Sequence, residues 1–328
     1  MFFFTVRRLL SSIVVLFASS LAVFALCVAS FDPLAPYRTR QPAPPPEFFA
    51  NLREQLNLNE PFISRYFSWL GGVLTLDFGE SNGGTAVGPQ LLGRLGVTAR
   101  MVIAAMVLAV ILAIIVGVLT AVRQYKPEDY LFTFLTYVLI ALPTFWFAAL
   151  LKEFVAIQFN DLVGQQVFYT IGEQSPAIEL IGTRSEIFWD RLGHLILPTI
   201  SLAMLSFAAW SRFQRAAMLD VLNSDYIRLA RAKGLQRRRV LVRHGLRNAL
   251  IPLTTVVALN VGLIMGGAVV TETVFVWHGM GEYLIVSIGR SDLFPVLGWL
   301  LVAAFFVILF NLIADLLYAV LDPRIRLN

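Results

Sequence analysis

The stretch Asn223-Ser224-Asp225-Tyr226-Ile227-Arg228-Leu229-Ala230-Arg231-Ala232-Lys233-Gly234 carries the most explicit local instructions in the chain. Asn223 or Ser224 can cap a helix, Asp225 suits its electropositive first turn, and Arg231 and Lys233 suit its last. Gly234 can then end it in the left-handed conformation. A helix of about nine residues is too short to persist alone in water. A partner surface must therefore supply its packing, through Tyr226, Leu229, Ala230 and Ala232. The chemistry on offer is docking, carried by Asp225, Tyr226, Arg228, Leu229, Ala230, Arg231, Ala232, Lys233 and Gly234. The competing reading is a basic loop held near anionic lipid, which accounts for Arg237-Arg238-Arg239.

Bond-making chemistry is harder to find. A nucleotide-hydrolysing chain needs a Gly-rich loop closing on Gly-Lys-Ser/Thr, and no Gly-Lys pair occurs. His194, His244 and His278 lie at the outer end of an apolar run, on a basic loop and on an outer loop, so they do not converge on one metal. The single cysteine, Cys27, excludes an internal disulfide and any CxxC motif. No apolar run holds a Ser, His and carboxylate set or paired Asp residues. The expectation is a chain that catalyses nothing by itself and binds no cofactor or metal.

The elements that must position the docking stretch are membrane spans. Of 328 residues, 58% are hydrophobic and 14% charged, against about 25% charged in soluble domains. A soluble enzyme or nucleic-acid binder is thereby disfavoured. Six runs are long enough to cross about 30 Å of hydrocarbon: Leu9 to Phe31, Val97 to Val122, Leu131 to Leu151, His194 to Ser211, Ala249 to Thr271 and Val296 to Ala319. The first is too long for a signal-peptide core and reads as a retained anchor. With the N-terminus inside, the inner segments hold 16 Lys and Arg and the outer ones 10, while acids run five inside, one in the membrane and 15 outside. Both termini are then cytoplasmic. The fold class expected is an all-α polytopic membrane protein with six transmembrane helices. Its parts are an anchor at 1–31, an outer insert at 32–96 with an amphipathic helix over Glu47 to Leu58, and a five-span core at 97–328 containing the inner loop 212–248.

The stretch from Asp225 to Leu235, followed by Arg247-Asn248-Ala249-Leu250-Ile251-Pro252, resembles the coupling loop of ABC importer permeases. The similarity is to the dipeptide and oligopeptide branch in its first-subunit form. It extends through Arg7-Arg8-Leu9, Leu58-Asn59-Glu60-Pro61, Gly79, Leu142-Pro143-Thr144-Phe145-Trp146, Thr271-Glu272-Thr273-Val274-Phe275, Gly279-Met280-Gly281, Asn311 to Asp315 and Asp322-Pro323-Arg324. The generic motif begins Glu-Ala-Ala where this chain has Arg228-Leu229-Ala230, and Pro252 lies further from Gly234 than in that pattern. The resemblance implies a permease subunit in a bacterial inner (plasma) membrane, paired with a second homologous permease. It also implies two cytosolic ATPases that bind ATP and Mg, an extracytoplasmic substrate-binding protein and a peptide substrate. ATPase closure would then move the 225–233 helices and switch the spans between outward-open and inward-open states.

Inside the spans, Pro143 must free a backbone carbonyl, so a kink there, beside Thr144, suits either a hinge or a static bend. Gly262-x-x-x-Gly266 with Thr255 and Leu259 makes one small face, and Asn260, Gly267 and Thr271 make another. One suits a partner helix and the other the pathway. Asp315 shares a stripe with Asn311 and Tyr318, fit for an interhelical hydrogen bond or a gate. Pro143, Thr144, Asn260, Gly266, Glu272 and Asp315 form the candidate pathway or gate set. The rival class, a secondary transporter or channel, predicts inverted repeats and central ionisable groups, and neither is found in the sequence.

Overall fold

The computed structural model describes residues 2–38, 41–42 and 44–321, and the side-chain surroundings at 2–4, 261–263, 265–267 and 317–321 lie outside that description, as do Asp322-Pro323-Arg324. Among the described residues the helices run α1 Phe2–Ser30, α2 Ala35–Arg38, α3 Pro46–Gln55, α4 Phe62–Leu74 and α5 Val87–Val122. They continue as α6 Pro127–Ala141, α7 Thr144–Leu150, α8 Gln158–Val163, α9 Pro176–Ile181 and α10 Arg184–Leu222. The last are α11 Asp225–Ala232, α12 Arg237–Arg239, α13 Arg247–Phe275, α14 Met280–Gly289 and α15 Leu293–Leu321. π-helical turns occupy Leu151–Ile157 and Val240–Leu246. The only extended pairing among these residues is a single bridge between Glu80 and Ala86.

Among the described residues, four helices are long and apolar enough to cross a membrane: those containing α1, α5, α10 and α15. α6 and its continuation make a fifth if the bent pair counts as one span. α13 adds a 29-residue helix, about 44 Å at 1.5 Å per residue. The third apolar run corrects the single span expected over Leu131 to Leu151. α6 stops at Ala141, Leu142 turns extended at ψ 130°, and Pro143 becomes the N-cap of α7. The two halves stand 109° apart. Because a residue before proline is driven out of the α region, the expected kink is a full break.

Local signals set several ends. Thr183 and Glu186 form a reciprocal capping box at the start of α10. Pro127 sits in the first turn of α6 with Glu128 and Asp129, the acids that its positive end favours. Between α1 and α5, α3 matches the amphipathic helix read over Glu47 to Leu58, with Pro46 and Glu47 in its first turn.

Two packing centres hold the chain. α5 and α10 make the most extensive contact. Ala105, Ala109 and Ala113 recur every fourth residue along α5, all closed off from solvent, in one cluster with Ala203, Phe207 and Trp210 of α10. Gly117 extends that stripe, and a Cβ there would stand 2.7 Å from Gln214 Cβ and 2.8 Å from the Ser211 carbonyl oxygen. Small residues at this spacing let two helix backbones approach closely. The second centre joins α1, α4, α14 and α15. Phe24 packs against Trp69 and Tyr66 at ring distances of 5.5 and 5.6 Å, and the Ser20 and Tyr66 hydroxyls share a 2.7 Å hydrogen bond. α4, part of the outer insert by sequence, thus lies along the anchor helix. At the other end of α1, Arg8 pairs with Asp315 of α15.

Candidate functional site

α11 hangs from α10 by the two-residue turn Asn223–Ser224. Ser224 adopts the extended geometry of an N-cap. Its hydroxyl donates to the Val221 carbonyl at 2.5 Å and makes no side-chain cap, contrary to the expectation for this residue. The far end closes as expected. Gly234 is left-handed at φ +75°, its N–H donates to Arg231 O at 3.0 Å, and the Leu235 N–H donates to Ala230 O at 3.4 Å. This pair of bonds, with Leu235 folded back on the helix, is a Schellman stop.

The faces of α11 divide differently from the sequence reading. Ile227 is 0% exposed and Ala230 8%, both packed on Val240 with Val221 and Leu235 beside them. Ala230 therefore packs inside the chain and is not part of an outward docking face. Ile227, which the sequence reading left out, is the pin that fixes the helix to the π-helical turn before α13. Tyr226 at 43% and Leu229 at 56% remain apolar and outward. Arg231, Ala232, Lys233 and Gly234 are exposed too, and Arg228 makes only a 3.5 Å, solvent-exposed contact with Asp225.

Above this helix, Asp129 at the start of α6 receives both Arg215 Nε at 3.0 Å and Arg215 Nη2 at 2.9 Å from α10. The Tyr125 N–H at 3.0 Å and the Thr133 hydroxyl at 3.3 Å complete its shell. Burial works against the charge on Asp129, but these hydrogen bonds outweigh it and hold the carboxyl below the usual aspartate range. One turn on, the Arg212 guanidinium lies over the Tyr137 ring at 4.7 Å. The α5–α6 turn is thereby clasped to the helix that carries α11. Sequence reading missed this clasp because its halves are 86 residues apart.

At the opposite end, Glu272 is fully buried at the close of α13. Its carboxylate accepts from the Thr98 hydroxyl at 2.5 Å and from the Gly281 and Glu282 N–H groups at 2.7 and 3.2 Å. It thus caps α14 from outside that helix. Gly279 allows the approach, because a Cβ there would meet Glu272 Oε1 at 2.4 Å. Arg94 donates to Glu282 at 2.9 Å, and His278 Nδ1 lies 2.9 Å from the same carboxylate. Desolvation opposes ionisation of Glu282, yet His278 and Arg94 hold its carboxyl low.

The remaining sequence candidates do not converge on one another. Pro143 and Thr144 stand at the break between α6 and α7. Asn260 spends its amide N–H on the Val256 carbonyl of its own helix at 2.7 Å. Asp315 is paired with Arg8. Gly266, with Gly262, Gly267 and Tyr318, lies outside the residues whose side-chain surroundings are described. The structure does bring a serine, a histidine and a carboxylate together near the start of α10. Asp190 accepts from the Ser175 hydroxyl and N–H, each at 2.7 Å, while His194 Nδ1 stands 2.9 Å from the Asp190 carbonyl oxygen. Acyl transfer needs the histidine on the serine hydroxyl. Here the carboxylate takes that hydroxyl, and the trio latches the segment before α9 to α10.

Comparisons with known proteins agree with this geometry. Residues 113–327 match the model of the binding-protein-dependent transport system inner membrane component family, and residues 1–91 match the N-terminal model of the same kind of component. The oligopeptide transport system permease protein OppB of Mycobacterium tuberculosis is 40% identical over 98% of both chains. The oligopeptide permease AppB of Bacillus subtilis is 38% identical over 83% of each chain, and the dipeptide permease DppB of Escherichia coli is 37% identical over 86% of each. A solved chain of the inward-facing MetNI methionine ABC transporter superposes with a TM-score of 0.51 at 15% identity, covering 71% of this chain and 96% of that one. That likeness concerns the fold alone. With relatives this similar along nearly its whole length, the chain belongs to the binding-protein-dependent transport system inner membrane component family, in its dipeptide and oligopeptide permease branch.

Proposed function

We propose that the chain is the membrane-spanning permease subunit of an ATP-driven importer of di- or oligopeptides. The observation that carries the coupling half of this reading is the outward pair Tyr226 and Leu229, on a helix pinned from behind by Ile227 and Ala230 and stopped at Gly234. An apolar, pre-ordered face on a short helix is suited to a groove in a partner, because ordering is already complete before contact. The peptide half rests on the names of the relatives. Two cytosolic ATPases supply ATP and Mg chemistry, a second homologous permease completes the pathway, and an extracytoplasmic binding protein delivers peptide to the outer insert. α1, α5, the broken α6–α7 pair, α10, α13 and α15 are read as six passes of an inner-membrane protein with both termini cytoplasmic. The anchor 1–31, insert 32–96 and core 97–328 divide the chain. Asp129 and Arg215 fix the inner loops as one body, and Pro143, Thr144, Asn260, Gly266, Glu272 and Asp315 remain the proposed pathway or gate positions. Of these, Glu272 and Asp315 act through the contacts that they already make.

The test is ATP-dependent uptake of a tripeptide by the assembled importer in proteoliposomes, comparing wild type with the double variant Tyr226→Ala and Leu229→Ala. The expected result is loss of ATPase recovery on the membrane and at least a tenfold fall in uptake, with normal insertion. Undiminished uptake and ATPase recovery in the double variant would refute docking through this face.

A further inference from the structure

On the outer side of the chain, a cavity of about 800 Å³ lies between the Ser81–Gly84 turn, α14 and the first turn of α15. Asn82, Arg94, Tyr283, Arg290, Asp292 and Pro295 are among its walls. Two of these side chains are built into the protein yet incomplete. Asp292 and Tyr283 are each only 6% exposed, and neither Asp292 Oδ1 nor the Tyr283 hydroxyl has a hydrogen-bond partner among the described residues. The reason for the first is local. Asp292 immediately precedes α15, where a carboxylate ordinarily accepts from the N–H of the second or third helical residue. The third residue here is Pro295, which has no N–H. The other oxygen, Oδ2, is held by the Asn82 N–H at 2.9 Å.

A buried carboxylate with one unpaired oxygen lacks a hydrogen-bonded counter-charge. No ion pair to Asp292 occurs among the described residues, since Arg94 is engaged with Glu282 and Arg290, though near enough to favour the charge, forms no salt bridge with it. Burial pushes the Asp292 carboxyl above its usual range in spite of the Asn82 hydrogen bond and the nearby Arg290. A water molecule can supply O–H donors but no charge. A primary ammonium group supplies both, with three N–H donors for two waiting oxygens.

We propose that this cavity receives the α-ammonium group of a short peptide, held by Asp292 Oδ1 and the Tyr283 hydroxyl oxygen as the peptide passes from the binding protein into the permease. The inference rests on the peptide-importer reading and adds a specific subsite to it. The same walls carry Arg94 and Arg290, so both signs of charge face one space, as a zwitterionic ligand requires. The volume is ample for two or three residues.

Asp292→Asn is the informative substitution, because Asn caps helices as well as Asp does and removes only the charge. Tyr283→Phe removes only the hydroxyl and serves as a second, independent variant. Uptake of Ala-Ala-Ala is measured in the whole importer with its binding protein, in vesicles with and without phosphatidylethanolamine. The expected result is a KM at least about tenfold higher for Asp292→Asn and several-fold higher for Tyr283→Phe in both kinds of vesicle, as loss of a charge-assisted hydrogen bond predicts. Unchanged KM in both variants, alongside robust wild-type uptake, overturns the subsite and leaves the importer reading intact. A shift confined to vesicles containing phosphatidylethanolamine assigns the ammonium to a lipid headgroup and overturns the peptide assignment. Wild type that imports no peptide overturns the functional reading and this subsite together.

Discussion

Replacing Gly117 by alanine tests whether the α5–α10 seam is as tight as its geometry. The new Cβ would lie 2.7 Å from Gln214 Cβ, 2.8 Å from the Ser211 carbonyl oxygen and 2.9 Å from Gln214 Cγ. Carbon atoms pack at about 3.5–4.0 Å, so the two carbon contacts are short by roughly 0.6–1.3 Å, and the contact with the carbonyl oxygen also lies inside van der Waals range. Two of the three atoms are a Cβ and a backbone oxygen, which no rotamer change moves. The helices must separate, loosening the Ala105, Ala109 and Ala113 contacts above. Alanine gains about 1 kcal/mol over glycine in intrinsic helix preference, whereas overpacking costs about 1–3 kcal/mol. Lost contacts along the seam add to the penalty, so Gly117→Ala should destabilise by about 1–2 kcal/mol. Gly117→Val, with two further methyl groups, should cost about 3 kcal/mol or more. Unfolding in mixed micelles by a denaturing detergent, followed through the fluorescence of buried Trp210, measures this directly. Gln214 has both amide atoms buried without partners, so Gln214→Ala should relieve part of the Gly117→Ala penalty, with a coupling of about 1 kcal/mol. A Gly117→Ala protein as stable as wild type, or strictly additive behaviour with Gln214→Ala, would refute the reasoning.

Three further outcomes separate the roles assigned near the inner face. Ile227→Ala should destabilise the inner loop by about 2–4 kcal/mol, seen as faster hydrogen exchange over 221–240, whereas Leu229→Ala should leave exchange unchanged; equal effects would mean that the two faces of α11 are misassigned. A Cβ at Gly234 meets no atom within 4 Å, so the main cost of Gly234→Val is backbone strain, about 1–2 kcal/mol, and Gly234→Asn should recover most of it in the same exchange measurement. Asp129→Asn should cost about 2 kcal/mol at neutral pH by leaving Arg215 without its counter-charge. Because the folded carboxyl is held low, that stabilisation is complete above about pH 4 and is lost as pH falls further through the folded value, so wild type and Asp129→Asn should converge in unfolding assays at low pH.

Much of the fold could be read from hydropathy because a bilayer demands long apolar runs; α5, α10 and α15 each contain the run that announced them, and α1 contains all of its run but Phe31. The ends are longer than those runs, since Leu91 of α5 and Met218 of α10 are buried by protein and need no lipid. Pro143 announced a disturbance, but its size depends on what the released backbone packs against. In α11, the helix and its Gly234 stop were legible because the signals are local. Its inward face was not, because the choice of Ile227 over Tyr226 is made by Val240, thirteen residues on. The alanine stripe ending at Gly117 was readable at its four-residue spacing and was overlooked among many small residues. The Thr98 bond to Glu272 and the Asp129 clasp were beyond reach, for their partners are 174 and 86 residues distant, although the α14 N–H groups that Glu272 caps lie only 9 and 10 residues on.

The length of α10 sets the scale of what α11 can feel. Its 39 residues make a rod of about 58 Å, and only Asn223 and Ser224 separate its end from α11. A tilt of about 5° about the N-terminal end sweeps the C-terminal end sideways by roughly 5 Å, close to one helical turn of 5.4 Å. Run in reverse, a displacement of that size imposed on α11 is divided down along the rod, reaching the N-terminal end as a small rotation delivered with correspondingly greater force. Gearing of this kind works only if the rod does not slip on its neighbour, which gives the close approach at Gly117 a mechanical as well as a stabilising value.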